Sequence, residues 1–157
     1  MSLIRNKLLF VIIISVSIRL VYGLSYPLRT VPDTAGYFQV GKQLTSGDYR
    51  EYTGRRTPVY PLFIAAAGFN KKIVAGLQAL MGVGIAVLLY LIFSGLTESR
   101  TFGFILGLSY ALNPSQILFE FTLMTEAVST FYSYLSLIHI SEPTRPLYIS
   151  YAVFCLK

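Results

Sequence analysis

The stretch 73-IVAGLQALMGVGIAVLLYLIF-93 contains no charged residue, with Lys71 and Lys72 before it and 97-TESR-100 after it. Crossing the hydrocarbon core of a bilayer takes roughly 20 mainly apolar residues in helical form. The segment meets that length, and nothing within it forces a break. Composition points the same way. Only 13% of the 157 residues are charged, 54% are hydrophobic, and the mean hydropathy is +0.61. A soluble domain carries about 25% charged residues. The chain is therefore expected to be an all-α, multi-pass membrane protein.

Working outward, 1-MSLIRNK-7 is short and basic, and 8–24 is apolar apart from Ser15, Ser17 and Arg19. Such a start fits a secretory signal peptide or a retained first helix. No A-x-A-like cleavage site follows and more apolar spans lie downstream, so a retained helix is the expectation. The positive-inside rule then puts the N-terminus in the cytoplasm and the loop 25–72 outside. Lys71 and Lys72 pull against this orientation, and the first helix is taken to dominate. Arg19 is expected to snorkel to the headgroups, with a role as a cation beside an external anionic site as the sharper alternative.

The loop 25–72 is the polar part of the chain. In 33-DTAGYFQVGKQLTSGDY-49, Asp33 is a plausible N-cap, and Ala35, Phe38, Val40 and Leu44 suggest a short amphipathic interfacial helix ended by Gly47 and Asp48. In 55-RRTPVYPLFIAAAGF-69, Pro58 and Pro61 bar a helix interior, so a second interfacial or re-entrant helix is expected to begin near Pro61. Further spans are expected at 101–118 and 121–134. Gly103 and Gly107 form a GxxxG pattern, expected to allow close helix packing within the chain. Gly82 and Gly84 in 81-MGVGIAV-87 resemble a phosphate-binding loop only superficially, because no strand precedes them. Asn113, Pro114 and Ser115 do not form a glycosylation acceptor, since the middle residue is proline. Glu126 is an intramembrane carboxylate and hence a candidate site residue, while Glu120 is expected to lie at the interface. The net charge of +6 is scattered among apolar helices, which fits anionic lipid and speaks against nucleic acid. Cys155 is the one cysteine, so no internal disulfide can form.

The last part of the sequence is unlike the rest. 135-LSLIHISEPTR-145 reads as the in-frame translation of a transposon-end sequencing adapter, and 149-ISYAVFCLK-157 as that of a flow-cell adapter. Pro146, Leu147 and Tyr148 fill the index slot between them. The biological sequence is thus expected to stop near Tyr134, inside a helix. His139 and Cys155 then carry no chemistry, although a lone His and Cys would otherwise suggest a nucleophile and its base.

The order of Asp33 with Tyr37, then 55-RRTPVYPLF-63, then Gln78, then 111-ALNP-114 and 123-LMTEA-127 resembles the N-terminal part of membrane GT-C glycosyltransferases. The nearest group is the bacterial relatives of protein O-mannosyltransferases and of the lipid A aminoarabinose transferase. The resemblance implies that residues 1–134 begin a GT-C transmembrane helical bundle with interfacial helices in its first outer loop. It implies a bacterial inner-membrane enzyme that transfers a sugar from a polyprenyl-phosphate carrier to a hydroxyl of a lipid, glycan or protein acceptor. A fragment of that bundle is expected to be inactive by itself. Asp33 matches the family's catalytic acid/base position. Many relatives have a second acid next to it, where this chain has Thr34, so a paired-carboxylate or metal-binding role is not implied; no cofactor is assigned.

The residues make chemical sense in those roles. A base must take the acceptor's proton, and an ionised Asp33 at the water-facing edge is suited to it. Arg55 and Arg56 suit the leaving phosphate through paired N–H donors, with Lys42 as a weaker point charge. Tyr37 and Glu126 complete the expected substrate-binding set. Each has a plainer reading: Asp33 as a helix cap, the arginines as headgroup anchors, Glu126 as an interfacial acid. A transporter or flippase of lipid-linked sugars is the alternative function, and it leaves the acid at the start of the outer loop unexplained.

Overall fold

The computed structural model describes residues 2–47, 54 and 56–141, with side chains at 6–47, 54 and 56–137. Every regular element among them is a helix: α1 (Ser2–Ser25), α2 (Pro32–Ser46), α3 (Val59–Ala66), α4 (Lys71–Leu96), α5 (Arg100–Ala111), α6 (Pro114–Glu120) and α7 (Glu126–Ser141). Two of them, over Asn6–Ser25 and Lys71–Leu96, are long and apolar enough to cross a membrane.

α4 is the central element and packs against α1, α5, α6 and α7. Its start is fixed by Asn70, whose side-chain oxygen accepts from the backbone N–H of Lys72 at 3.0 Å and of Ile73 at 3.4 Å. Its glycines are points of contact. A Cβ on Gly82 would collide with the Glu120 carboxylate, and one on Gly84 would come within 2.8 Å of the Phe131 ring. Gly107 allows α5 to approach the Ala86 carbonyl, where a Cβ would stand at 2.8 Å, and Gly103 packs on Tyr90 and Ser94. The GxxxG pattern therefore serves packing of α5 on α4 within the chain.

The expected span 101–118 is not one straight helix. α5 and α6 meet at a bend of 57°. Pro114 cannot donate a backbone hydrogen bond, and Asn113 restarts the chain as a cap, accepting from Ser115 N at 3.0 Å and Gln116 N at 3.4 Å. α6 then ends at Glu120, and 121–125 is an irregular segment before α7. α3 begins at Val59, two residues before Pro61, because a proline within the first helical turn removes an N–H that has no helical partner.

Around an apolar core, many large apolar side chains face outward and a few polar ones are buried. Leu9, Phe10, Ile13, Leu20, Val21 and Leu80 are exposed, whereas Ser15, Arg19, Gln78 and Glu120 are buried. Apolar side chains facing outward and polar ones inward is the arrangement that lipid imposes. The expectation that Arg19 snorkels and that Glu120 is interfacial is corrected here. Arg19 Nε lies 2.7 Å from Glu120 Oε2 and Nη2 lies 2.6 Å from Oε1. Both side chains are almost wholly buried, 3% and 2% exposed. Arg19 Nη1 also donates to Ser15 Oγ at 2.6 Å. An arginine less than two turns from the end of its helix has an apolar path outward, but a buried carboxylate on α6 is a better partner than distant headgroups.

The main core lies where α3, the first half of α4, α6 and α7 meet, around Tyr60, Ile64, Val74, Ile117, Leu123 and Val128. A second apolar contact of Val11, Ala86 and Ala111 joins α1, α4 and α5.

Candidate functional site

α2 carries the expected acid, but Asp33 is not its cap. Pro32 takes the first helical position, for which its fixed φ is suited, and the cap falls on Val31. Thr34 completes the capping by accepting from Val31 N at 3.0 Å. The same hydroxyl donates to the Leu123 carbonyl at 3.0 Å and is buried. Around it, Arg29 N donates to the Phe121 carbonyl and Leu123 N to the Arg29 carbonyl, each at 3.1 Å. Gln78, on α4, donates through Nε2 to the Met124 carbonyl at 3.0 Å. The segment 121–124 thus ties the start of α2 to α4 and α6. Thr34, next to Asp33, thus does structural work.

Freed from capping, the Asp33 carboxylate turns toward the segment before α3. Arg56 Nη2 donates to Asp33 Oδ1 at 2.8 Å, and Nη1 to the Asp33 carbonyl at 3.2 Å. Asp33 and Tyr37 share one face of α2, being four residues apart. Arg56 spans both, with its guanidinium carbon 4.4 Å from the Tyr37 ring centroid. Gly36 makes room: a Cβ there would stand 2.9 Å from the guanidinium carbon. The pair is accessible, with side-chain exposures of 28% for Arg56 and 61% for Asp33. Asp33 also sits in the first turn of α2.

Tyr37 leads inward. Its ring meets that of Tyr60 edge-on, with centroids 5.0 Å apart and planes at 90°. Tyr60 is 2% exposed, and burial pushes its hydroxyl above the ordinary phenol range, with Tyr37 and Glu126 adding to the effect. The hydroxyl therefore stays protonated. Glu126 Oε2 is buried at the start of α7. A cleft of about 520 Å³ opens beside this group, lined by Thr57, Val59, Tyr60, Thr125, Ser129 and Tyr132 among others.

Three of the expected residues, Asp33, Arg56 and Tyr37, are thus brought into contact, and Tyr37 leads on to Tyr60, whose hydroxyl feels the charge of Glu126. Lys42 is elsewhere. It lines a separate cleft of about 510 Å³ with Thr30, Phe38, Gln39 and Lys71, half a turn around α2 from Asp33. Lys71 lies there over the Phe38 ring, 6.0 Å from its centroid. Arg55 lies outside the described residues, as does Cys155; His139 belongs to the backbone of α7, beyond the described side chains. Thr34, Gly36, Tyr60 and Gln78 were not singled out as site residues from sequence. Gly36, four residues along α2 from Pro32, carried no signal by itself, and Tyr60 read as an apolar residue of a proline-flanked helix.

Neither a protein-family model nor a curated protein nor a solved structure matches this chain.

Proposed function

We propose that this chain contains the start of a membrane glycosyltransferase of the GT-C kind, acting on a polyprenyl-phosphate-linked sugar at the outer face of a bacterial inner membrane. The N-terminus of α1 is cytoplasmic in this reading, and α2 and α3 lie at the outer boundary. The observation that carries it is the Asp33–Arg56 pair: an accessible carboxylate held against a guanidinium, on a helix at the edge of a membrane bundle.

The two charges exchange partners during the reaction. A lipid phosphate competes for the Arg56 donors, which suit a planar fork of oxygens. Leaving Arg56 exposes the Asp33 carboxylate as a base. The acceptor oxygen attacks the anomeric carbon, its proton passes to Asp33, and the bond from that carbon to the phosphate oxygen breaks with its electrons going to the phosphate. Arg56 then stabilises the charge that develops there. An exposed ion pair is worth only about 0–1 kcal/mol, so the exchange meets little resistance. An apolar groove of about 300 Å³ between α1 and α4, lined by Val16, Leu20, Ala79, Leu80 and Phe121, offers a lateral path for a hydrocarbon chain.

The test is Asp33→Asn in the complete protein encoded at the genomic locus, supplied with a radiolabelled polyprenyl-phosphate sugar. Transfer is expected to stop while membrane abundance stays unchanged. Full activity in the variant removes Asp33 from the mechanism, and movement of the labelled lipid across vesicles without any transfer assigns the protein to transport instead.

A further inference from the structure

Lys42 on α2 and Lys71 at the start of α4 line the same cleft of about 510 Å³. Val31, Pro32, Ala35 and Phe38 give it apolar walls, Thr30 and Gln39 add neutral polar groups, and none of its lining residues is acidic. Both lysines are exposed. Neither has a carboxylate partner among the described residues, whose ion pairs are Arg19–Glu120 and Arg56–Asp33. The Lys71 ammonium lies over the Phe38 ring, 6.0 Å from its centroid, at the outer limit of a cation–π contact. Two like charges on one cleft repel each other, and a shared anion removes that repulsion.

The position of the cleft selects the anion. Lys71 is the first residue of a helix long and apolar enough to cross a membrane. The cleft therefore lies where that helix leaves the hydrocarbon, at the level of lipid head groups. A small inorganic anion would use the lysines and leave the apolar walls in water. A phospholipid uses both. Its phosphate meets the ammonium groups, which bind phosphate as point charges, and its first chain carbons cover Phe38, Val31 and Pro32. The cleft is also separate from the Asp33–Arg56 pair. Lys42 stands half a turn around α2 from Asp33 and roughly 13 Å along it.

We propose that the Lys42–Lys71 cleft holds the phosphodiester head group of an anionic phospholipid, which seats α2 and the start of α4 at the membrane surface. This goes beyond the reading above and is independent of it, because binding requires no sugar, no transfer and no particular orientation of the chain. The full chain in non-ionic detergent micelles is titrated with dioctanoyl phosphatidylglycerol, with the matching phosphatidylcholine and with inorganic phosphate, and bound lipid is counted by native mass spectrometry. Phosphatidylglycerol is expected to bind in preference to both. Lys42→Gln and Lys71→Gln are each expected to weaken it about fivefold, the share of one cation at a membrane surface. Lys72→Gln removes the same charge next to the cleft but outside its lining, and is expected to have a smaller effect. All three side chains are exposed, so the fold, checked by circular dichroism, is retained. Equal affinity for phosphatidylcholine, an equal loss in all three variants, or no loss in either cleft variant each overturn the proposal. Displacement of the lipid by inorganic phosphate at the same concentration makes this a site for free anions and overturns the assignment to lipid. Polyprenyl phosphate taking the cleft in preference to phosphatidylglycerol overturns it too, by placing the glycosyl carrier there.

Discussion

Two ion pairs of the same chemistry stand in opposite surroundings. Arg19–Glu120 is sealed between α1 and α6, and Asp33–Arg56 stands open at the start of α2. Both involve a guanidinium and a carboxylate with a shortest contact of 2.6 to 2.8 Å. Burial separates them. In the first, neither charge can find water or another ion if its partner is lost, so the pair holds the helices in register. In the second, water and ions compete at all times, so the pair is weak and exchangeable. A lasting contact and a working contact can thus be built from the same two residue types.

The largest expected effect is on the sealed pair. Glu120→Ala leaves Arg19 buried and unpaired, and is expected to cost about 3–5 kcal/mol. Thermal unfolding in micelles, followed by circular dichroism, measures it. Replacing both residues by methionine is expected to recover most of that loss, since an unpaired charge and not the missing attraction is the penalty. Recovery failing in the double variant would show that the pair contributes net attraction.

Gly82→Ala comes next. Its new Cβ meets the Glu120 carboxylate, so either α4 and α6 separate or the ion pair distorts. The same unfolding assay is expected to show a loss of about 1–3 kcal/mol. A change near zero would mean that the carboxylate has room to move, and that the sealed pair is less rigid than its burial suggests.

Thr34→Val removes the hydroxyl that caps α2 and bonds the Leu123 carbonyl. About 1–3 kcal/mol is expected, because a buried carbonyl and the Val31 N–H both lose a partner. Its effect on stability is expected to fall between those at the two pairs.

The smallest effect on stability is at the open pair. Asp33→Asn is expected to change it by about 0–1 kcal/mol. Raising the ionic strength is expected to shrink even that difference, while leaving the Glu120→Ala loss nearly unchanged. If Asp33→Asn destabilised the chain as much as Glu120→Ala, the contrast would be gone, and any loss of transfer in that variant would report unfolding.

How much could be read from the residues depended on whether a feature is local. The apolar run 73–93 announced a long helix, and α4 contains it whole. Gly47 ended α2 as expected, with φ at 73°. Pro114 marked a break, but the 57° bend between α5 and α6 had to be seen, since proline sets where a helix stops and not the direction of the next one. The Asp33 cap failed for a local reason that sequence did contain: Pro32 competes for the first helical position.

Partner choice was illegible. Arg19 and Glu120 are 101 residues apart, and only the packing of both α1 and α6 on α4 brings them together. Arg56 reaches Asp33 across 23 residues because α3 folds back on α2, and Gly36 leaves the space. Sequence determined that the chain is helical and apolar, where most helices begin, and that its charges are few. Tertiary structure alone decided which charge is sealed and which is open, because burial depends on what other segments cover, and no stretch of chain encodes its own cover.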